Sequence, residues 1–191
     1  MIQENELWIL SFYRRSEISG ALFFGRLAQT VRAGAIQRDL TKHFSDESLH
    51  AWYWTDCIEK LGGKPLALDH SYQDQYIEAA GLPGNIMEIL AITQVFERRV
   101  IGQYALHRAL PGLPAEVEAT LQRIMQDENW HIQWVGDALV SLEAEYGKEH
   151  IAKTIERYAA ADRKVYEKTL DEHSGRLEAL IAQRRDRERP R

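Results

Sequence analysis

Apolar residues recur at three- and four-residue steps in five long segments, and this period predicts helices rather than strands. The first segment, roughly residues 4–33, carries Leu10, Tyr13, Ala21, Phe24, Ala28 and Val31 on one stripe. The second, roughly 35–61, aligns Ile36, Leu40, Trp54, Ile58 and Leu61. The third, about 85–109, runs through Ile86, Leu90, Thr93, Val100, Ile101 and Tyr104, and the fourth, about 114–145, through Val117, Leu121, Ile124, Val135, Ala138 and Leu142. A fifth, about 148–171, shows Ile151, Ile155, Tyr158, Val165 and Leu170. The breakers agree: LGGKP closes the second segment, GLPGN opens the third and LPGLP separates the third from the fourth. Residues 63–84 are too long for a hairpin loop and suit a crossover along a bundle, with room for a short helix. The expected architecture is all-α: an antiparallel four-helix bundle over about 4–145, an added helix over about 148–171, and a charged tail beyond 173 that ends in RRDRERPR.

The polar residues that interrupt these stripes form a pattern of their own. Glu17 sits in the first stripe, Glu47 and His50 in the second, Glu97 in the third, and Glu128 and His131 in the fourth; the fifth has no acid on its apolar side. Residues on antiparallel helices lie side by side when they are equally far from the turn, because each residue rises about 1.5 Å. The midpoint of Glu17 and Glu47 is residue 32, beside Gly34, and that of Glu97 and Glu128 falls between residues 112 and 113, inside PGLP. Both midpoints land on turns, so all four glutamates are expected at one height. The frame Asp-Glu-x-x-His occurs twice, at Asp46, Glu47, His50 and at Asp127, Glu128, His131, offset by 81 residues, and Glu17 precedes Glu97 by 80. The two helix pairs therefore read as halves of a pseudo-twofold arrangement.

Four ionised carboxylates gathered in an apolar core repel one another and lose their hydration, so protons or cations must offset their charge. Two divalent ions supply four positive charges against four negative ones. Glu-x-x-His suits such a site because residues three apart share a helix face. Oxygen and nitrogen donors without thiolate favour iron or manganese over a structural zinc site. A metal-bound imidazole commonly gives its other N–H to a carboxylate, so Asp46 is expected to support His131, and Asp127 to support His50, across the bundle. The competing reading makes all of these surface acids on amphipathic helices, but their place at the centre of apolar stripes argues against it.

Composition narrows the class further. With 45% apolar and 28% charged residues in 191, the chain fits one globular domain, taken here as 1–172 with a tail at 173–191. A net charge of −5 offers no positive field for nucleic acid or an anionic membrane. No run of about 18 apolar residues spans a bilayer, and the opening MIQENELWILSFYRR does not read as a signal peptide. The single cysteine, Cys57, excludes an intrachain disulfide, and a reducing, cytoplasmic setting is expected.

The order Glu, Glu-x-x-His, Glu, Glu-x-x-His on four helices resembles the ferritin-like di-iron carboxylate superfamily over roughly residues 7–145. The resemblance implies metal ligands at Glu17, Glu47, His50, Glu97, Glu128 and His131, with Glu47 and Glu128 as bridges between two iron ions, or manganese in their place. DENWHIQW is similar to the fourth-helix motif of bacterioferritins, and the Asp-Glu-x-x-His frame resembles bacterial multicomponent monooxygenases. Bacterioferritins carry a haem-ligating methionine directly after the second-helix glutamate, where this chain has Ser48, so no haem is expected. Rubrerythrins carry a cysteine-rich module and an extra third-helix glutamate, where this chain has Gln94. Length and crossover look closer to small stand-alone di-iron oxygenases. The implied function is an oxidoreductase that activates dioxygen to oxidise an unidentified small substrate, with electrons from an external donor and a homodimer as one possible assembly. Alternatives are a di-iron or dimanganese peroxidase or catalase, and a ferroxidase of the iron-storage kind.

Around the cluster, helical spacing brings Tyr13, Trp54 and Tyr104 close as pocket walls or redox relays, though aromatics at such spacing also simply pack. Gly20, one turn after Glu17, leaves space for a substrate channel or for close helix packing. His43, one turn before Glu47, reads as a supporting or partly exposed histidine, and His70, His107, His150 and His173 have no supporting constellation.

Overall fold

Acids in the first turn of Glu4–Thr30 (α1), at Glu4 and Glu6, complement the positive end of the helix dipole. Helix α2, Ala35–Lys60, ends in a Schellman motif. Gly62, at φ +76, donates to the Glu59 carbonyl, and Gly63 donates to the Ile58 carbonyl, so the last carbonyls of the helix are satisfied. Helix α3, Ile86–Arg108, starts at Asn85, whose side chain accepts from the Glu88 amide at 2.9 Å. Pro114 precedes α4, Ala115–Ser141, and a single turn, α5 (Glu143–Tyr146), leads through Gly147 at φ +82 into α6, Lys148–Glu188. This computed structural model describes residues 2–32, 34–68, 76 and 79–188, and the side chains among them except those of 168–172 and 185–188. Regular structure among the described residues is entirely helical. The crossover expected over 63–84 lies in part outside the described residues, as does His70.

Helices α1 and α2 pack along each other, as do α3 and α4, and α2 also lies against α4. No comparable approach joins α1 to α3 among the described residues. Two apolar layers fill the interior. One gathers Ile9, Leu10, Trp54, Ile58, Leu121 and Ile124, and the other Phe24, Leu40, Leu90, Trp134, Val135 and Leu139. On α1, α2 and α4 the central glutamate falls between the residues given to the two layers, so a polar layer is sandwiched at mid-height.

The C-terminal segment departs from the sequence expectation. The helix expected to stop near 171 continues to Glu188, and residues 173–184 are packed rather than a solvated tail. Leu177 and Leu180 join the first apolar layer, and Arg184 Nη2 donates to Glu6 Oε1 at 2.6 Å. Helix α6 runs beside α3 and α1, where Arg99 pairs with Asp162 at 3.1 Å and Arg157 with Glu88 at 2.9 Å. A charge-rich segment thus packs because its few apolar residues share one helical face and Arg184 meets a buried partner.

Candidate metal centre

Glu17, Glu47, Glu97 and Glu128 are each no more than 6% exposed, and His50 and His131 are fully buried, despite their polarity. Helical register brings them together: one residue from α1, one from α3, and a Glu-x-x-His pair from each of α2 and α4. Two groups of donor atoms result, each with its atoms within 4.8 Å of one another: Glu17, Glu47, His50 and Glu128 in one, and His43, Glu47, Glu97 and His131 in the other. Glu47 belongs to both. Glu128 also faces both ways, its Oε1 3.3 Å from His50 Nδ1 and its Oε2 3.0 Å from His131 Nδ1.

The outer nitrogens of the two imidazoles are held across the bundle. His131 Nε2 lies 3.3 Å from Asp46 Oδ2, and His50 Nε2 lies 3.2 Å from Asp127 Oδ2. A carboxylate accepts from the Nε2–H, which leaves each Nδ1 with its lone pair turned to the cluster. The two aspartates are not equivalent. Asp46 is 12% exposed at its side chain and also accepts from Lys42, whereas the Asp127 side chain is 39% exposed, so only one of the pair is turned inward as expected.

His43 is the residue whose weight the sequence hid. It is fully buried, stacks at 3.6 Å between ring centroids on His131 and at 3.8 Å on Phe24, and brings Nε2 to 3.1 Å from Glu97 Oε1 and 3.2 Å from Glu47 Oε1. Its position, four residues before Glu47, is on the cluster face of α2, which was the available signal.

Electrostatics show what the cluster lacks. Burial pushes the Glu47 carboxyl well above the usual range, and the neighbouring Glu17 and Glu128 charges add to this. Burial and then Glu128 do the same to Glu97. Burial would also raise Glu128, but His131 and His50 outweigh it and hold this carboxyl low. Burial opposes charge on His50, and Asp127, Glu128 and Glu17 overcome it. Left to itself, the cluster must take protons on some carboxylates. His50 Nδ1 and Glu128 Oε1, although 3.3 Å apart and buried, make no hydrogen bond of good geometry. Two buried polar atoms that face each other without a hydrogen bond fit a cation between them, since buried groups of this kind otherwise find partners. The residues therefore fit two divalent ions.

Tyr104 donates its hydroxyl hydrogen to Glu17 Oε1 and accepts from Trp54 Nε1 at 3.4 Å. Tyr13 stands edge-on to Tyr104 with centroids 4.9 Å apart, packs 5.3 Å from Trp54, and bonds His173 Nε2 at 3.0 Å. His173 and His107, given no constellation by the sequence, are thus buried beside this aromatic group, with Tyr13 and His107 centroids 5.7 Å apart. Gly20 faces the cluster directly: a Cβ there would collide with Glu47 Oε2.

Where α1 and α3 part, a cavity of about 370 Å³ reaches the carboxylates. Glu17, Glu47, Glu97 and Glu128 form its floor, and Phe12, Phe23, Phe24, Ile92, Phe96 and Val100 contribute apolar wall. Leu22 and Leu82, both largely exposed, also line it. No helix among the described residues is long and apolar enough to cross a membrane. No protein-family model, curated protein or solved structure matches the chain.

Proposed function

We propose that the chain is a ferritin-like dinuclear-metal oxidoreductase that oxidises a small, largely apolar organic substrate with dioxygen. One observation carries the reading: a cavity with largely apolar walls, lined in part by Arg15, Arg26 and Arg99, whose floor is the four-glutamate cluster itself. A storage protein has no use for an apolar chamber at its metal site, and peroxide removal needs no room for an organic molecule. Two iron ions held there, or manganese in their place, would supply the electron transfer to dioxygen, with an external donor as the source of electrons.

The rest is the work of this chain. Glu47 and Glu128 would be shared between the two ions, Glu17 and Glu97 would each hold one, and His50 and His131 would offer Nδ1 from opposite helices. Asp46 and Asp127 keep the imidazole protons on Nε2. Tyr104 retains its proton, because burial and the Glu17 charge raise its hydroxyl well above the usual phenol range, and that proton fixes one oxygen of Glu17. Phe12, Phe24 and Ile92 exclude water from the substrate chamber.

The test is metal quantification on freshly purified protein and on Glu47→Ala, followed by dioxygen uptake by the reduced protein. Two ions per chain, lost in the variant, and faster oxidation by dioxygen than by peroxide are expected. Metal-free protein that takes up no iron or manganese on addition would overturn the reading, and faster oxidation by peroxide would replace it with the peroxidase alternative.

A further inference from the structure

We infer that His43 is itself a metal ligand, which makes the two metal positions chemically unequal; this rests on the dinuclear reading above. One position is built from Glu17, Glu47, His50 and Glu128 and offers a single imidazole. The other is built from His43, Glu47, Glu97 and His131 and offers two.

The argument starts from a single nitrogen. His43 Nε2 faces two carboxylate oxygens at once, Glu97 Oε1 at 3.1 Å and Glu47 Oε1 at 3.2 Å. If Nε2 carries the proton, it can lie along only one of these lines. If Nδ1 carries it, the Nε2 lone pair faces two carboxylate oxygens and is repelled by each that carries no proton. A cation between the three atoms removes the conflict. The ring has no way out, because it is fully buried and sandwiched between Phe24 and His131. Separations of 3.1 and 3.2 Å from Nε2 to the two oxygens also match the spacing of neighbouring ligands around one ion with bonds near 2.1 Å.

His43 differs from the other two imidazoles in its support. Asp127 and Asp46 hold the outer nitrogens of His50 and His131, whereas His43 Nδ1 has no hydrogen-bond partner among the described residues. Without a carboxylate behind it His43 is the least basic of the three donors. It still adds a nitrogen to one position that the other lacks. That position takes up its ion first and prefers metals that bind imidazole well, so iron is favoured there over manganese, while the carboxylate-rich position discriminates less.

Anaerobic titration of metal-free protein with Co²⁺, followed by its visible absorption, reads this directly. The wild-type protein is expected to fill in two unequal steps. In His43→Ala the tighter step weakens by roughly 10- to 100-fold, the weaker step is unchanged, and free imidazole restores the loss by occupying the vacated space. His43→Gln keeps a donor of similar reach, so a residue that only donated to Glu47 and Glu97 would leave both steps intact in this variant; a ligand loses the tighter one. Two equal steps in the wild type, or unequal steps that survive in both variants, overturn the inference while leaving the dinuclear site standing. No cobalt uptake by the wild type removes both. Should His43→Ala fail to fold, as circular dichroism would show, the glutamine variant decides.

Discussion

Asp46 on α2 and His131 on α4 are joined across the bundle, Oδ2 to Nε2 at 3.3 Å, so the proton on one helix's imidazole is set by an acid from another. Asp46→Asn can present its N–H₂ instead of an acceptor and so admit the opposite tautomer. A loss of roughly 10- to 100-fold in metal affinity is expected. The mirror change, Asp127→Asn, is expected to cost less, because the 39% exposed side chain of Asp127 leaves water free to replace it. Isothermal titration of both variants with Fe²⁺ under nitrogen checks the order; equal losses would contradict it.

Gly20→Ala places a methyl group where Glu47 Oε2 lies. The helix itself gains slightly from alanine, by about 1 kcal/mol, so the metal-free protein should remain folded. The displaced carboxylate should nevertheless lower the bound-metal count of the variant below that of the wild type. Thermal melting and metal analysis on the same sample separate the two effects.

Acid should weaken the fold through histidines outside the glutamate cluster. Burial, with His173 and Arg184 nearby, holds His107 at about 3, and burial, with Arg99 nearby, holds His173 at about 4, both below the ordinary 6.5. Tyr13 also faces both rings. Their folded values are depressed, so the unfolded chain takes up protons first. This contribution is complete above pH 6.5 and falls as pH drops towards 4, by about 1.4 kcal/mol per pH unit for each histidine. Neither His107 nitrogen has a hydrogen-bond partner among the described residues, so His107→Leu should be neutral or stabilising and should flatten the slope. Urea unfolding of metal-free protein at pH 5 and pH 7 measures it.

Arg184→Ala leaves Glu6 buried without its cation. Both side chains are less than a tenth exposed, and removing one partner of such a pair costs about 3–5 kcal/mol. A double variant, Arg184→Met with Glu6→Leu, should recover most of that loss. Guanidinium unfolding of both proteins tests whether the end of α6 stabilises the whole chain; an unchanged midpoint in Arg184→Ala would show that it does not.

Tyr104→Phe removes the donor to Glu17 and the acceptor for Trp54, and about 1–3 kcal/mol of stability is expected to go with them. If Tyr104 and Tyr13 relay electrons, re-reduction of the oxidised protein slows further than stability alone explains. Stopped-flow reduction, compared with Trp54→Phe, distinguishes packing from relay.

The six spaced residues were legible because each position is checked by another: the turn midpoints at 32 and between 112 and 113, and the 81-residue echo between the Asp-Glu-x-x-His frames. The Asp46–His131 and Asp127–His50 bonds followed from the same frame. His43 had no such check. Eighty-one residues on stands Ile124, so the internal repeat offered it no counterpart, and a lone histidine one turn from a glutamate is an ambiguous signal. The path of residues 173–184 was obscured by charge density: Leu177, Leu180 and Arg184 lie at three- and four-residue steps, but the surrounding Arg, Asp and Glu residues dominate a composition-based reading. Neither the partner of Arg184 nor that of Tyr13 is local in sequence, since Glu6 and His173 lie 178 and 160 residues away.

The unequal spacing of the helices divides labour within the bundle. Helices α2 and α4, pressed together, act as a clamp carrying both Glu-x-x-His pairs, while α1 and α3 stand apart as the posts of a doorway. Leu22, Phe23 and Val100 line that doorway without belonging to either donor group. On the proposed reading, exchanging them would re-tailor which guest is admitted and leave the clamp as it was, so new specificities would need a change of threshold alone.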